Sequence, residues 1–270
     1  MIFSLLALAA LQASPPQSDT ARLRACAELV RTAPQQAADN ANAWLAEPGA
    51  ARLFARRCLG LAYIALEQWP AAATVYQQAA RDAEEANDPA RAGFRVQEGN
   101  AWLAAGEAGR ALQALDAALA TPNLSQALRG EAHLDRARAQ VALGHADRAR
   151  QDLDRALQLV PQDGFAWYLS AALARRGNDA ARAATDLARA RELAPDNPDI
   201  LLLAGTMAGQ AGNMEEAERL YRRVVELAPD SDAGRSAAAS LATVREIEVP
   251  APAPPAPAPA GPAPEQPQLR

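Results

Sequence analysis

Three stretches decide the fold: Arg155-Ala156-Leu157-Gln158-Leu159-Val160-Pro161, Ala190-Arg191-Glu192-Leu193-Ala194-Pro195 and Val224-Val225-Glu226-Leu227-Ala228-Pro229. Each reads as the end of a helix closed by proline, and Pro161, Pro195 and Pro229 follow one another at a constant 34 residues. Proline lacks the amide hydrogen and disfavours helix at the residue before it, so it stops a helix at the same place in every copy. A glycine recurs near the middle of each copy, at Gly144, Gly177 and Gly212. Each copy is therefore two helices with a tight turn between them and a proline-marked turn after them.

The composition agrees. The 270-residue chain is 50% hydrophobic but only 4% aromatic, and alanine makes up about a quarter of it. Alanine is the strongest helix former and lets helices approach closely. The β-branched and aromatic residues that strands favour are sparse. An all-α fold follows, and an all-β or parallel α/β domain is excluded. So is a large aromatic-lined cofactor pocket, and no cofactor is expected. Lysine is absent, so all 27 basic residues are arginine; against 32 acids the net charge is −5. The charges interleave (Arg148, Asp152, Arg155; Glu215, Arg219, Arg222), as on solvated helix faces. With no basic stripe to displace counterions, a nucleic-acid partner is not expected.

Further residues carry a family resemblance. Leu59-Gly60-Leu61-Ala62-Tyr63, followed by Ala72, Tyr76 and Ala79, resembles the tetratricopeptide repeat. So do Ala149-Leu153-Ala156-Pro161, Trp167 with Ala183-Leu187-Ala190-Pro195, and Gly205 with Ala217-Tyr221-Val224-Pro229. A period of 34 is the length of that repeat. Six units are read, starting near Asp19, Leu53, Ala92, Gly130, Gly164 and Pro198. The second has a long second helix ending near Asn87-Asp88-Pro89, and the third (Gly99, Gly106, Ala111, Leu115) is followed by a short insertion around Pro122. The first has a second helix starting at Pro34, a favoured first-turn position. A capping helix over residues 232–247 covers the apolar face of the last unit. The expected fold is an all-α tetratricopeptide-repeat solenoid over residues 19–247.

The resemblance implies that the first helix of each unit lines a concave groove that binds a protein or peptide segment, without catalysis. Its inward positions carry Arg57, Gln97, Asn100, Arg138, Phe165, Tyr168, Arg175 and Thr206. Arginine and tyrosine there suit a carboxylate and an apolar side chain. Some family members clamp a terminal carboxylate with lysine and asparagine. This chain has Leu61, Glu131 and Asp135 at such places, which departs from that clamp. Cys26 and Cys58 fall in the first helices of units one and two, so a disulfide and two buried thiols both stay open.

Enzyme chemistry finds no constellation. The only histidines are His133 and His145, twelve residues apart across one helix, or about 18 Å, too far to share a metal. Asp152/Asp154 and Glu215/Glu216 read as solvated charge. No metal and no enzymatic activity are expected.

The two ends differ from the middle. Ile2 to Leu11 is a short uncharged apolar run before the small Ala13 and then Ser14-Pro15-Pro16, the pattern of a secretory signal peptide cut near Ala13. A periplasmic or secreted protein without stable membrane insertion is expected, with residues 14–18 as a linker. Residues 248–270 alternate proline and alanine, a disordered polyproline-type tail. Alternatives to the groove are a structural or assembly protein acting by stacking or through the tail, and an accessory subunit regulating an envelope enzyme.

Overall fold

The computed structural model describes residues 18–49, 51–122 and 124–248, with side chains as far as residue 243. The expected leader, nearly all of the linker and the proline/alanine tail lie outside the described residues.

Thirteen helices fill the described residues. They pair as α1 (Asp19–Thr32) with α2 (Pro34–Ala46), α3 (Arg52–Ala65) with α4 (Trp69–Glu85), and α5 (Arg91–Ala104) with α6 (Ala108–Leu119). Next come α7 (Gln126–Ala142) with α8 (Ala146–Leu159), α9 (Gly164–Arg176) with α10 (Ala180–Leu193), and α11 (Pro198–Gln210) with α12 (Met214–Leu227). The last is α13 (Asp232–Glu248). Pro161, Pro195 and Pro229 each stand two residues beyond a helix end, at Leu159, Leu193 and Leu227. Two boundaries differ slightly from expectation. Ser18, read as linker, is the N-cap of α1, and its side chain accepts from the Ala21 amide. Glu248, read as tail, ends α13.

The small residues of the repeat explain why paired helices can touch. Ala72, Ala111, Ala149, Ala183 and Ala217, one in each second helix from α4 to α12, are fully buried. Facing them, glycines admit a large side chain from the second helix. A Cβ on Gly60 would stand 2.5 Å from the Tyr76 ring, one on Gly99 2.6 Å from Leu115, and one on Gly205 2.7 Å from the Tyr221 ring. The large residue thus fills the space left by the missing side chain.

From the α3–α4 turn onward, the turns inside the units follow one scheme, in which the left-handed residue donates to the carbonyl three back and the next residue to the carbonyl five back. Gly144 donates to Val141 and His145 to Gln140; Gly212 donates to Gly209 and Asn213 to Ala208. In the α9–α10 turn the left-handed residue is Asn178 (φ 59°), one after Gly177. In the α3–α4 turn it is Glu67 (φ 57°).

The described residues form two compact units, one ending at Leu193 and one beginning at Ala194. In the first, each hairpin packs on the next (α2 on α3, α4 on α5, α6 on α7, α8 on α9), and the first helices α1 and α3, and α5 and α7, meet directly. Its main core gathers Tyr76, Phe94, Val96, Trp102 and Leu115, with Tyr76 and Phe94 rings 6.4 Å apart. In the second, α13 lies on both α11 and α12 and buries Ala233, Ala237 and Leu241, as a capping helix must.

Candidate functional site

Three of the candidate residues, on α5 and α7, form a polar row. Asn100 of α5 donates to Asp135 of α7 at 3.1 Å, and Gln97 donates to Glu131 at 3.5 Å. Arg138 holds the other oxygen of Asp135 at 2.8 Å. Gln97, Asn100 and Arg138 are therefore brought together, through two acids that the sequence marks only as a departure from a clamp. Arg138 is already engaged with Asp135, so it does not stand open for an incoming carboxylate. Burial, and then the Asp135 charge, push the Glu131 carboxyl above the usual carboxylate range.

The other candidates lie apart from that row. Phe165 and Tyr168 stack one turn apart on α9 with ring centroids 5.6 Å apart, and Phe165 is 39% exposed. Arg57 of α3 lies over the Phe94 ring at 5.2 Å. The Arg175 Nε is buried without a hydrogen-bond partner. Thr206 lies on α11 in the smaller unit, where its hydroxyl donates to the Leu202 carbonyl and receives the Tyr221 hydroxyl at 3.5 Å.

A second set of charges, half-buried around the buried Glu98 and Asp152, escapes the sequence reading. At the fourth residue of units two, three and four, where the repeat pattern wants a large apolar side chain, stand Arg56, Arg95 and His133. Arg56 donates to Asp82 at 2.8 Å. Arg95 joins Glu98 at 2.9 Å and Glu84 at 3.1 Å, while Gln77 donates to the other Glu98 oxygen at 3.0 Å. His133 meets Asp152 at 2.9 Å, and Arg136 grips both Asp152 oxygens while reaching Asp116 of α6 at 2.8 Å. Asp152 is thus 4% exposed and paired, so its reading as solvated charge is corrected. Burial works to raise its carboxyl, but the hydrogen bonds from His133 and Arg136 outweigh it and hold it below the usual range. The visible signal was polar residues on the buried stripe of otherwise periodic helices.

At the N-terminal end, Cys26 of α1 and Cys58 of α3 are joined by a disulfide, with Cα atoms 5.9 Å apart. Beside it Arg22 lies 4.2 Å over the Trp44 ring and pairs with both Glu47 oxygens. A cavity of about 530 Å³ is lined by Val141, Leu173, Arg150, Arg176, Arg182 and Asp147, among others. Arg150 and Arg182 are drawn to Asp154, so much of its charge is balanced from within. His145 is turned to the Gln140 amide oxygen at 2.8 Å, away from any partner set with His133. Among the described residues no group of three His, Cys, Asp or Glu side chains is placed to hold a metal ion. No described helix is long and apolar enough to cross a membrane.

Comparison with known proteins gives one consistent answer. Two family models described as tetratricopeptide repeat match residues 134–198 and 174–241. No curated protein sequence matches. Among solved structures, the fold is shared with pilF of Pseudomonas aeruginosa at 16% identity, with a TM-score of 0.63, over 82% of this chain and 97% of that one. It is also shared with a thermophilic tetratricopeptide-repeat protein of Thermus thermophilus at 20% identity, with a TM-score of 0.56, over 70% and 96%. The Cut9–Hcn1 tetramer of the APC/C gives a TM-score of 0.63 at 13% identity, over 86% of this chain and 40% of that one. Over residues 134–241 the sequence matches the family directly, and the helical pairs before them have the same build: the chain carries tetratricopeptide repeats.

Proposed function

We propose that this protein is a non-catalytic interaction scaffold that holds an extended segment of another protein against its first helices. The observation that carries the reading is the continuous row from Gln97 and Asn100 across Glu131 and Asp135 to Arg138. Amide and charged groups that already bridge neighbouring helices can share hydrogen bonds with a peptide backbone laid across them. The Phe165–Tyr168 pair adds an exposed aromatic surface for an apolar side chain of the same segment.

The scaffold works in the periplasm or outside the cell, after removal of the leader near Ala13. The Cys26–Cys58 bridge supports this half of the reading, because structural disulfides persist in oxidising compartments. N-terminal sequencing of the native protein tests it: a start at Ser14 is expected, and an intact Met1 overturns it.

The groove is tested by selecting binders from a random peptide display library and remeasuring them on variants. Combined Arg138→Ala and Tyr168→Ala changes are expected to abolish binding of the selected peptides, while Arg155→Ala on α8 leaves it unchanged. Peptides that bind the double variant as well as the parent overturn the reading.

A further inference from the structure

The first helix is attached unlike the others. α1 has one buried residue, and it is Cys26. Leu23, Leu29 and Val30 are only partly buried against the local core. α2, its neighbour, buries Ala37, Ala38, Ala41 and Trp44, and α3 buries Ala55, Cys58, Leu59 and Ala62. The other fasteners of α1 both use Arg22: its ion pair with Glu47, whose side chains are 28% and 49% exposed, and its stack over the Trp44 ring. Such a pair contributes little on its own. The covalent link from Cys26 to Cys58 is therefore the main hold on α1, and it ties α1 to α3, not to its own hairpin partner.

That link is buried, at 5% and 2% exposure of its two residues, but it lies at the wall of a cavity. Cys26 and Cys58 both line a surface cavity of about 280 Å³, together with Arg22, Leu29, Ala41 and Trp44. We propose that Cys26–Cys58 is a thiol–disulfide exchange site that latches α1, and that a dithiol opens it and frees α1 while the later hairpins stay folded. In the first step a dithiol's thiolate attacks the sulfur of Cys26, the less deeply buried residue of the two. A mixed disulfide forms and Cys58 leaves as a thiolate. The second thiol of the reductant then attacks the reductant's own sulfur, which closes its disulfide and releases Cys26 as a thiolate. Two electrons pass from the dithiol to the bridge, and the protons of the dithiol end on Cys26 and Cys58.

Opening exposes what α1 covered, the Ala37, Ala38, Ala41 and Leu59 surface of α2 and α3. The α2–α3 contact and everything after it are fastened by buried alanines and leucines and do not depend on the bridge. The latch therefore sets the state of the N-terminal end independently of peptide binding on the first-helix row.

Hydrogen exchange read by mass spectrometry on the full, oxidised protein tests this, with dithiothreitol as the dithiol and alkylation to count free thiols. After native reduction the amides of α1 are expected to lose protection by about 10²- to 10³-fold, the scale for freeing a cross-linked loop of this length, while amides of α4 to α8 change little. A Cys26→Ala/Cys58→Ala variant is expected to match the reduced protein and to ignore dithiothreitol. The proposal is overturned if α1 stays protected once two thiols are counted. Thiols that appear only in denaturant also overturn it, as does loss of protection from α4 to α8 together with α1.

Discussion

The α7–α8 and α11–α12 hairpins share one repeat plan and a buried apolar seam, but α7–α8 adds a buried ionic fastening. In α11–α12 the seam is apolar: Leu201, Leu203, Leu220 and Val224 are buried, and the Tyr221 ring sits in the space over Gly205. Its ion pairs, such as Arg219–Glu216 and Arg222–Glu218, lie on the outside of one helix. In α7–α8 a buried carboxylate, Asp152, gathers His133 and Arg136, and Arg136 continues to Asp116 on the preceding hairpin. The apolar seam fixes two helices to each other. The ionic one also fixes a hairpin to its neighbour, at the cost of taking charge out of water.

Four perturbations separate the two modes, from the largest effect to the smallest. Tyr221→Ala empties the space over Gly205 and is expected to destabilise the α11–α12 hairpin by about 3–5 kcal/mol. Hydrogen exchange resolved by hairpin would show it, with a loss under about 1 kcal/mol contradicting the apolar account. Asp152→Ala leaves Arg136 and His133 without their shared carboxylate. A loss of about 2–3 kcal/mol is expected for α7–α8, half-buried arginine softening the usual penalty for a broken pair. An Asp152→Leu/Arg136→Met double change should recover most of that loss in the same measurement, which would show that the pair sets register more than strength.

The third perturbation is pH. The folded Asp152 carboxyl titrates below its unfolded value, so its stabilisation is complete above about pH 4 and is lost as the pH falls through the folded value. The stability gap between the parent and Asp152→Asn should shrink as denaturation is followed from about pH 6 to about pH 2.5. A gap that widens on acidification contradicts the arrangement. The smallest effect has the opposite sign. Glu67 occupies a left-handed turn position that glycine fills at Gly144 and Gly212. Glu67→Gly should therefore raise the thermal midpoint, by roughly 0.5–1 kcal/mol of stability after the glycine entropy is counted.

The same contrast decides how much was legible in the sequence. The apolar units announce themselves: Pro161, Pro195 and Pro229 keep the period, and Trp167, Leu187, Gly205 and Tyr221 fall where large and small residues must alternate. The family matches, residues 134–241, begin where that alternation becomes regular. Ahead of it the hairpins are present, but Arg56 and Arg95 replace the large apolar residue at the fourth place of their units. A charge on a buried stripe reads as surface until its partner is known, and Asp82 and Glu84 reach Arg56 and Arg95 only after folding. The Asp152 error has the same origin. Burial belongs to the packed hairpins, and no local pattern of charges reveals it.

Of the residues read onto the first helices, three come together in the fold. Gln97, Asn100 and Arg138 are neighbours in space because they recur at similar places in consecutive units. What the pattern did not carry is that Glu131 and Asp135 stand between them and already occupy Arg138. The turn at Gly177 shows the same limit on a smaller scale. The glycine marks the turn, and the left-handed residue is Asn178 beside it.

The most direct test is chemical-shift mapping of a display-selected peptide on the isotopically labelled protein. The account predicts that perturbed signals cluster on the first helices, at Gln97, Asn100, Arg138, Phe165 and Tyr168, with the second-helix residues Thr74, Gln113 and Arg155 unmoved. Perturbations confined to the second helices, with the first-helix row silent, would contradict it.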